Sequence, residues 1–525
     1  MKRLLAMFMV VGSFISGWVR AAPGIIWENE VRLTNDPDTS AIAGSNGWAI
    51  GADSFNCVHV VWSDNRTGKF EIFYKRSLDR GVTWELDTQL TNTGISAIAP
   101  SIAVSSSGSL HLVWSDYRSG VSQLYYIRST DGGSTFEVER ILDSNSIGIG
   151  PAVGYGANGI VNVVYKRYVS GSWQIFNIYS LDNGVTFSLP QQLTFVSSSK
   201  ENPVCTIDNG GYVYVVWQDT RDNIVGDRRE VYFNRSLNNG VNWESDVRLT
   251  YDPDNGSCDQ TIAVDGSGKV HVVWHDDRPG SYGFPGCWEI YYKQSPDRGV
   301  TWLPDTQLTS RSNPDSNTNT IETDLPSMAV DRNGLIHIVW QDRRDVGYNR
   351  VFYKIGNGAT WEKDENLCPT FSSASSICIS SWYDTSYVHV VWTDGRYFPN
   401  YEIYYRRGKI VNVGVEDLNP LPSIYELFQI YPNPFTTVTS VKWSGVSKGQ
   451  KISAQIYDLG GRLVKTLVTN YSLLTTAVVW DGKDNKGKSV PSGIYFVKLS
   501  RRLSGSASGG KAGDFSQTKK LLLLR

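Results

Sequence analysis

The sequence predicts an all-β protein: a seven-bladed β-propeller closed by an N-terminal strand, followed by a small Ig-like β-sandwich. Three observations carry this reading. A turn of the form S-x-D-x-G-x-T-W/F occurs six times, from Ser77-Leu78-Asp79-Arg80-Gly81-Val82-Thr83-Trp84 to a worn copy ending Gly358-Ala359-Thr360-Trp361. A second motif, W-x-D-x-R, precedes each turn by about twenty residues, as in Trp62/Asp64/Arg66 and Trp114/Asp116/Arg118. Its seven copies, one of them the divergent Tyr165-Lys166-Arg167, stand 52, 51, 52, 57, 66 and 52 residues apart. A period of about 40–50 residues built from four short strands marks a propeller blade.

Each repeat divides into four strands. In the second copy these are expected at residues 100–104, 110–114, 123–128 and 138–142, with the turn joining the third to the fourth. Fourth-strand sequences such as T-Q-L-T also number seven, but the first, residues 30–34, stands before any complete repeat. The last repeat ends near Tyr405 without a fourth strand. Residues 30–34 are therefore expected to complete it beside residues 401–406 and close the ring, which also accounts for six turns in seven repeats. Within each turn the carboxylate or amide of Asp79, Asp131, Asp182, Asn238 and Asp297 is placed to accept backbone N–H groups. Glycine permits positive φ, and the closing aromatic is expected to pack under its own hairpin.

These turns resemble the Asp-box, or bacterial neuraminidase repeat, of sialidase-like β-propellers. The resemblance implies the fold, an activity on glycans, and Asp-boxes on the face opposite the active site. Exo-sialidases also carry an Arg-Ile-Pro motif near the first blade. Here the corresponding stretch is Asn46-Gly47-Trp48-Ala49-Ile50, so the sialidase arginine motif is not found.

A net charge of −2 provides no basic field for nucleic acid. Ten of the 18 tryptophans belong to the repeats, six on second strands and four closing Asp-boxes, and so read as core. Residues 1–21 have the pattern of a secretory signal, with Lys2-Arg3 followed by an apolar run. No other segment reaches transmembrane length. Six cysteines at irregular spacing form no disulfide framework, although Cys258 and Cys287 fall in loops of one blade that share a face and are expected to pair.

The repeats define a propeller over residues 22–410, then a Pro-containing linker over 411–427, then a sandwich over 428–525. The last segment carries Tyr431-Pro432-Asn433-Pro434-Phe435, Ile456-Tyr457-Asp458-Leu459-Gly460-Gly461-Arg462, Trp480-Asp481-Gly482 and the tail Lys519-Lys520-Leu521-Leu522-Leu523-Leu524-Arg525. Alternating apolar strands with Gly-rich turns predict the sandwich. The order of motifs is similar to the type A sorting domain of type IX secretion cargo. That resemblance implies the type IX secretion machinery as partner and a secreted or outer-cell-surface location.

Chemistry is sought where the repeats differ. Five of six histidines (His59, His111, His271, His337, His389) hold one second-strand position and read as architecture. The sixth, His275, is off-register and expected at the surface. Sixteen residues before each second-strand aromatic lie Asn46, Ile98, Ile149, Glu201, Cys258, Asp324 and Ser376, at the mouth of the central channel. Glu201 and Asp324, with Asp259 one step on, are the candidate catalytic carboxylates, since paired acids serve glycoside hydrolysis. The long insertions at 222–228, 279–288 and 311–322 cluster in the same sector. Trp48, Tyr282 and Trp288 are candidate sugar platforms, and Arg278 and Arg344 candidate partners for an acidic sugar. No cofactor is required. Asp36/Asp38 and Asp252/Asp254 are oxygen-rich pairs suited to Ca2+, and the metal is otherwise unknown. A glycoside hydrolase, a polysaccharide lyase and a non-catalytic adhesion or interaction propeller remain the three readings, each with an extracellular glycan or glycoprotein as partner.

Overall fold

The computed structural model describes residues 24–35, 38–42, 48–145, 147–222, 229–251, 256–276, 278, 288–309, 323–344, 349–368, 374–380, 387–397, 399–411, 428–431, 433–443, 451–468, 477–502 and 515–524. The expected signal segment, nearly all of the linker, Asp36, Asp252, Asp254, Tyr282 and Cys287 lie outside these residues. The described chain is all-β, with no α-helix and one short 3-10 turn at Ala157–Gly159. No described helix is long and apolar enough to cross a membrane.

Residues 24–411 form seven antiparallel sheets among the described residues. The second is representative: Ala97–Val104, Leu110–Asp116, Gln123–Ser129 and Arg140–Asp143, each hydrogen-bonded to the next. The first strands of successive sheets lie side by side, from Ile50–Ala52 through Ala97–Val104, Ala152–Gly156, Lys200–Ile207, Ser257–Val264 and Thr323–Val330 to Ala374–Ser380. The last of these touches the first. Second strands such as Val58–Asp64 and Val270–Asp276 are buried throughout, because neighbouring sheets cover both faces. That explains their near-continuous β-branched and aromatic sequence.

The W-x-D-x-R motif is a bracket within its sheet in all but the third, where Arg167 instead pairs with Asp143 of the second sheet. The Trp114 indole N–H donates to Asp116, which binds the Arg118 guanidinium through both oxygens. Arg118 lies 4.3 Å over the Tyr125 ring and reaches Glu139, just before the fourth strand. The same links join Arg66 to Asp87, Arg221 to Asp246, Arg278 to Asp305 and Arg344 to Asp364. In the last sheet the acid is Glu30 of the N-terminal segment, paired with Arg396. Val31–Arg32 pairs with Tyr404 and Tyr405, as expected for residues 30–34. A further strand, Gly24–Trp27, pairs with residues 408–411 and was not expected from the sequence.

In the Asp-box, Asp79 accepts the Thr83 backbone N–H and hydroxyl, while the Ser77 hydroxyl accepts the Gly81 N–H and donates to Asp79. Asp131, Asp182 and Asp297 repeat the set, and Asn238 keeps its backbone part. The closing aromatic touches its own hairpin, the Trp243 indole N–H donating to the Gly240 carbonyl at 3.0 Å and Trp361 covering Gly356, but it also reaches the sheet before. It stands edge-on to a ring of the preceding sheet: Phe136 on Tyr74, Phe187 on Tyr126, Trp302 on Phe233, Trp361 on Tyr292, at 4.8–5.0 Å. Trp84 does the same to Tyr405 of the last sheet. That sheet has no Asp-box, yet Trp27 packs on Tyr353 in the corresponding way, 4.9 Å between centroids. The five repeated histidines hydrogen-bond tyrosines of the adjacent strand at 2.7–2.8 Å, fixing rings that the next sheet covers.

Residues 428–524 form two further sheets of three and four strands. Trp480, Phe435 and Tyr495 meet in one core with Ile456, Val497, Leu521 and Leu523.

Candidate functional site

First strands share a local irregularity at the end where the W-x-D-x-R motifs lie. Five of the seven are interrupted by a bulge, between Ile98 and Ser101, Glu201 and Val204, Cys258 and Thr261, Asp324 and Ser327, and Ser375 and Ile377. One residue in each bulge has positive φ: Ala99, Asn202, Asp259, Leu325 and Ser376, between 47° and 54°. Bulges re-aim side chains, and non-glycine residues in this region are strained. The bulge is therefore architecture, and the site lies in what each bulge carries.

Two bulges present carboxylates to one histidine. His275 Nδ1 lies 2.7 Å from Asp324 Oδ1 and 3.7 Å from Asp259 Oδ2. Gln218 and Asn202 donate to Asp259 at 3.2 and 3.1 Å, and Gln341 donates to Asp324 at 3.2 Å. The Leu325 N–H also donates to Asp324, at 2.7 Å. Trp288 stands edge-on to His275, 4.3 Å between centroids.

Burial pushes the Asp259 carboxyl above its usual range, and neighbouring Asp324 adds to the rise against His275. Burial acts on Asp324 in the same sense, but its contact with His275 prevails and holds it below the usual range. For His275, burial favours the neutral ring, yet Asp324, the Cys258 thiol and Asp259 outweigh it and raise it to about 10. The arrangement is a carboxyl that holds its proton more tightly than usual beside one that releases it more readily, with the imidazole between them. Among the described residues the same three side chains are the group able to hold a metal, their donor atoms all within 4.8 Å of one another. An imidazole with two carboxylates suits a transition metal better than Ca2+.

Of the three expected carboxylates, Asp259 and Asp324 are thus brought together. Glu201 is instead paired with Lys166 at 3.4 Å. His275 is not at the surface but 5% exposed. Its signal was available: the residue after each second-strand aromatic is Ser63, Ser115, Lys166, Gln218, His275, Gln341 and Thr393, the variable position inside an otherwise fixed motif. Arg278 and Arg344 are committed to acids of their own sheets and lie over Tyr291 and Phe352, so they belong to the scaffold. Trp48 lines the apolar channel with Ile50, Ile102 and Val330, its indole N–H unpaired. Cys258 is a free thiol.

Comparison with known proteins fits this architecture. The chain belongs to the BNR repeat-like domain family, whose model matches residues 26–338. Residues 429–507 match the secretion system C-terminal sorting domain, which makes this a secreted protein addressed to type IX secretion and the outer cell surface. No curated protein sequence matches the chain. Among solved structures, it is similar to a PL25 ulvan lyase at 12% identity and a TM-score of 0.51, over 71% of this chain and 95% of that one. The polysaccharide lyase Uly1 matches at 11% identity and a TM-score of 0.50, over 74% and 100%. A Hadza microbial sialidase matches at 15% identity and a TM-score of 0.40, over 67% and 73%. At these identities the likeness concerns the fold.

Proposed function

We propose that this chain is a secreted seven-bladed propeller, closed by its N-terminal segment, that binds and hydrolyses an uncharged extracellular glycan at the channel mouth. The observation that supports it is the pairing of Asp259 and Asp324 through His275 at positions where the sevenfold repeat breaks. Two carboxyls driven apart in protonation are the acid and base assignment of a hydrolase. Asp259 would protonate the leaving glycosidic oxygen. Ionised Asp324 would attack the anomeric carbon, and water, deprotonated by Asp259, would then release the sugar. Groups this close suit the retaining route better than the inverting one, which needs about 6.5–9.5 Å between carboxyls. An uncharged sugar is favoured because Arg278 and Arg344, the guanidiniums suited to a sugar carboxylate, serve the scaffold instead.

The test is hydrolysis of arabinan, xylan, galactan and galactomannan by the mature protein, beside Asp259→Asn and Asp324→Asn variants. Each variant should lose at least about a hundredfold in turnover while keeping its thermal unfolding midpoint. Turnover falls below the Asp324 pKa and above that of Asp259, giving a bell-shaped profile. Unaltered turnover in both variants sinks the assignment. Retention on a polysaccharide without cleavage leaves a binding module in its place.

A further inference from the structure

The third sheet, like the last with its strands Tyr387–Tyr397 and Asn400–Val411, carries a lengthened hairpin. Its second and third strands, Ile160–Val169 and Ser172–Ser180, run to ten and nine residues, against seven each for Leu110–Asp116 and Gln123–Ser129. They are joined by Ser170 and Gly171, with φ of 49° and 91°, a two-residue hairpin turn with both residues left-handed. The pair therefore extends past the W-x-D-x-R register as an arm of two residues per strand, Tyr168↔Trp173 and Val169↔Ser172, roughly 7 Å long.

The arm carries a cross-strand aromatic pair. Tyr168 is directly opposite Trp173, their rings edge to face at 5.3 Å, and Tyr168 is 55% exposed. Lys166, two residues before Tyr168 and so on the same face, lies 5.4 Å from the Trp173 ring and pairs with Glu201. Glu201 adjoins Asn202, which donates to Asp259. Gly148 makes room for this chain of contacts, since a Cβ there would collide with the Lys166 side chain. The aromatic face is thus turned to the side of the sheet on which the fourth first strand, and with it the Asp259 bulge, lies.

Burying a Tyr–Trp pair in a core would need no exposed ring, and an exposed hairpin tip ordinarily carries polar turn residues. We propose that Tyr168 and Trp173 form a stacking subsite for a pyranose ring of a polysaccharide whose neighbouring units occupy the Asp259/Asp324 centre. This rests on the glycan reading above and extends it to a polymer, because a platform set apart from the carboxyls engages a different sugar unit. An aromatic face holds the C–H-bearing side of a pyranose without requiring charge, in keeping with an uncharged glycan.

Affinity electrophoresis of the mature protein in gels containing xylan, galactan, galactomannan or glucomannan tests it. At least one polysaccharide should retard the wild type. Tyr168→Ala and Trp173→Ala should weaken that retardation about tenfold or more, whereas Tyr168→Phe keeps it, because stacking needs the ring and not the hydroxyl. Thermal unfolding of each variant reports its fold, and Tyr168→Ala, altering an exposed ring, should stay within a few degrees of wild type. A wild type retarded by none of the four removes the uncharged-glycan reading and this subsite with it. A wild type that is retarded, beside a folded Tyr168→Ala that is retarded equally, removes the subsite alone.

Discussion

Single residues in the Asp-box show how local geometry becomes a joint between sheets. Gly132 and Gly133 both have positive φ, 69° and 75°. A Cβ on Gly132 meets open space, whereas one on Gly133 would overlap the Tyr74 hydroxyl of the preceding sheet. Gly132→Ala should therefore cost about 1 kcal/mol, the conformational term alone. Gly133→Ala should cost about 3 kcal/mol or more, because a displaced Tyr74 also loses Phe136 and His59. Denaturant midpoints of the two variants check the difference. A similar cost for both would mean that the tyrosine contact contributes little.

Charge in the same turns can be followed by pH. Slight burial works against ionisation of Asp182, but the hydroxyl and backbone N–H of Thr186, with Ser180, hold it at about 2. Its folded value lies below that of an unfolded aspartate, near 3.9. Its contribution to stability is therefore complete above about pH 4 and disappears as pH falls through 2. Asp182→Asn should reduce stability at pH 7 but hardly at pH 2. Asn238, which keeps the backbone bond at 2.8 Å, shows that the turn survives the exchange. His275 runs the other way. Raised to about 10, it stabilises fully below its ordinary 6.5 and progressively less as pH climbs from there toward 10. The wild type should lose its advantage over His275→Gln across that interval.

At the scale of elements, the N-terminal segment stands in for two absent parts of the last sheet. Glu30 replaces the acid before a fourth strand, and Trp27 replaces an Asp-box aromatic. Thr34 and Arg32 bind Glu402 as Thr250 and Arg248 bind Glu230. Trp27→Ala should cost about 3 kcal/mol by losing a packed ring, and Glu30→Gln less. Removal of residues 22–36 should lower the melting temperature far more than either, since it exposes a sheet edge. A deletion that melts with the wild type would refute closure by this segment.

The fourth strand at residues 30–34 was legible because it repeats a sequence found in the other sheets. Gly24–Trp27 was not, since its strand has no counterpart in the repeat and only the neighbouring Tyr353 gives Trp27 its role. The carboxylates Asp259 and Asp324 were found as breaks in the repeat. His275 was missed because a lone histidine is judged by its type, whereas its mark is its place at the variable position after the second-strand aromatic, and the bulge that brings the acids to it leaves no trace on spacing. Pairing of the aromatics between sheets escaped for a related reason: a periodic sequence shows that a residue recurs, not which copy it touches.

For the whole molecule, the pairing of residues 24–27 with residues 408–411 has a consequence in time. Gly24–Trp27 is among the first segments of the sequence to leave the ribosome, and its partner, residues 408–411, follows nearly four hundred residues later. Until residues 405–411 emerge, Trp84 of the first sheet lacks Tyr405, and Trp27, though already made, has no strand to hold it against Tyr353. Pairing over such a distance is slow, and every shorter nascent chain leaves the flanks of the first and last sheets bare. Chains ending at residue 395 should stay protease-sensitive, whereas chains ending at 411 become resistant. The late-arriving strand would then act as a timer, with the sorting domain synthesised only after the ring has the means to shut.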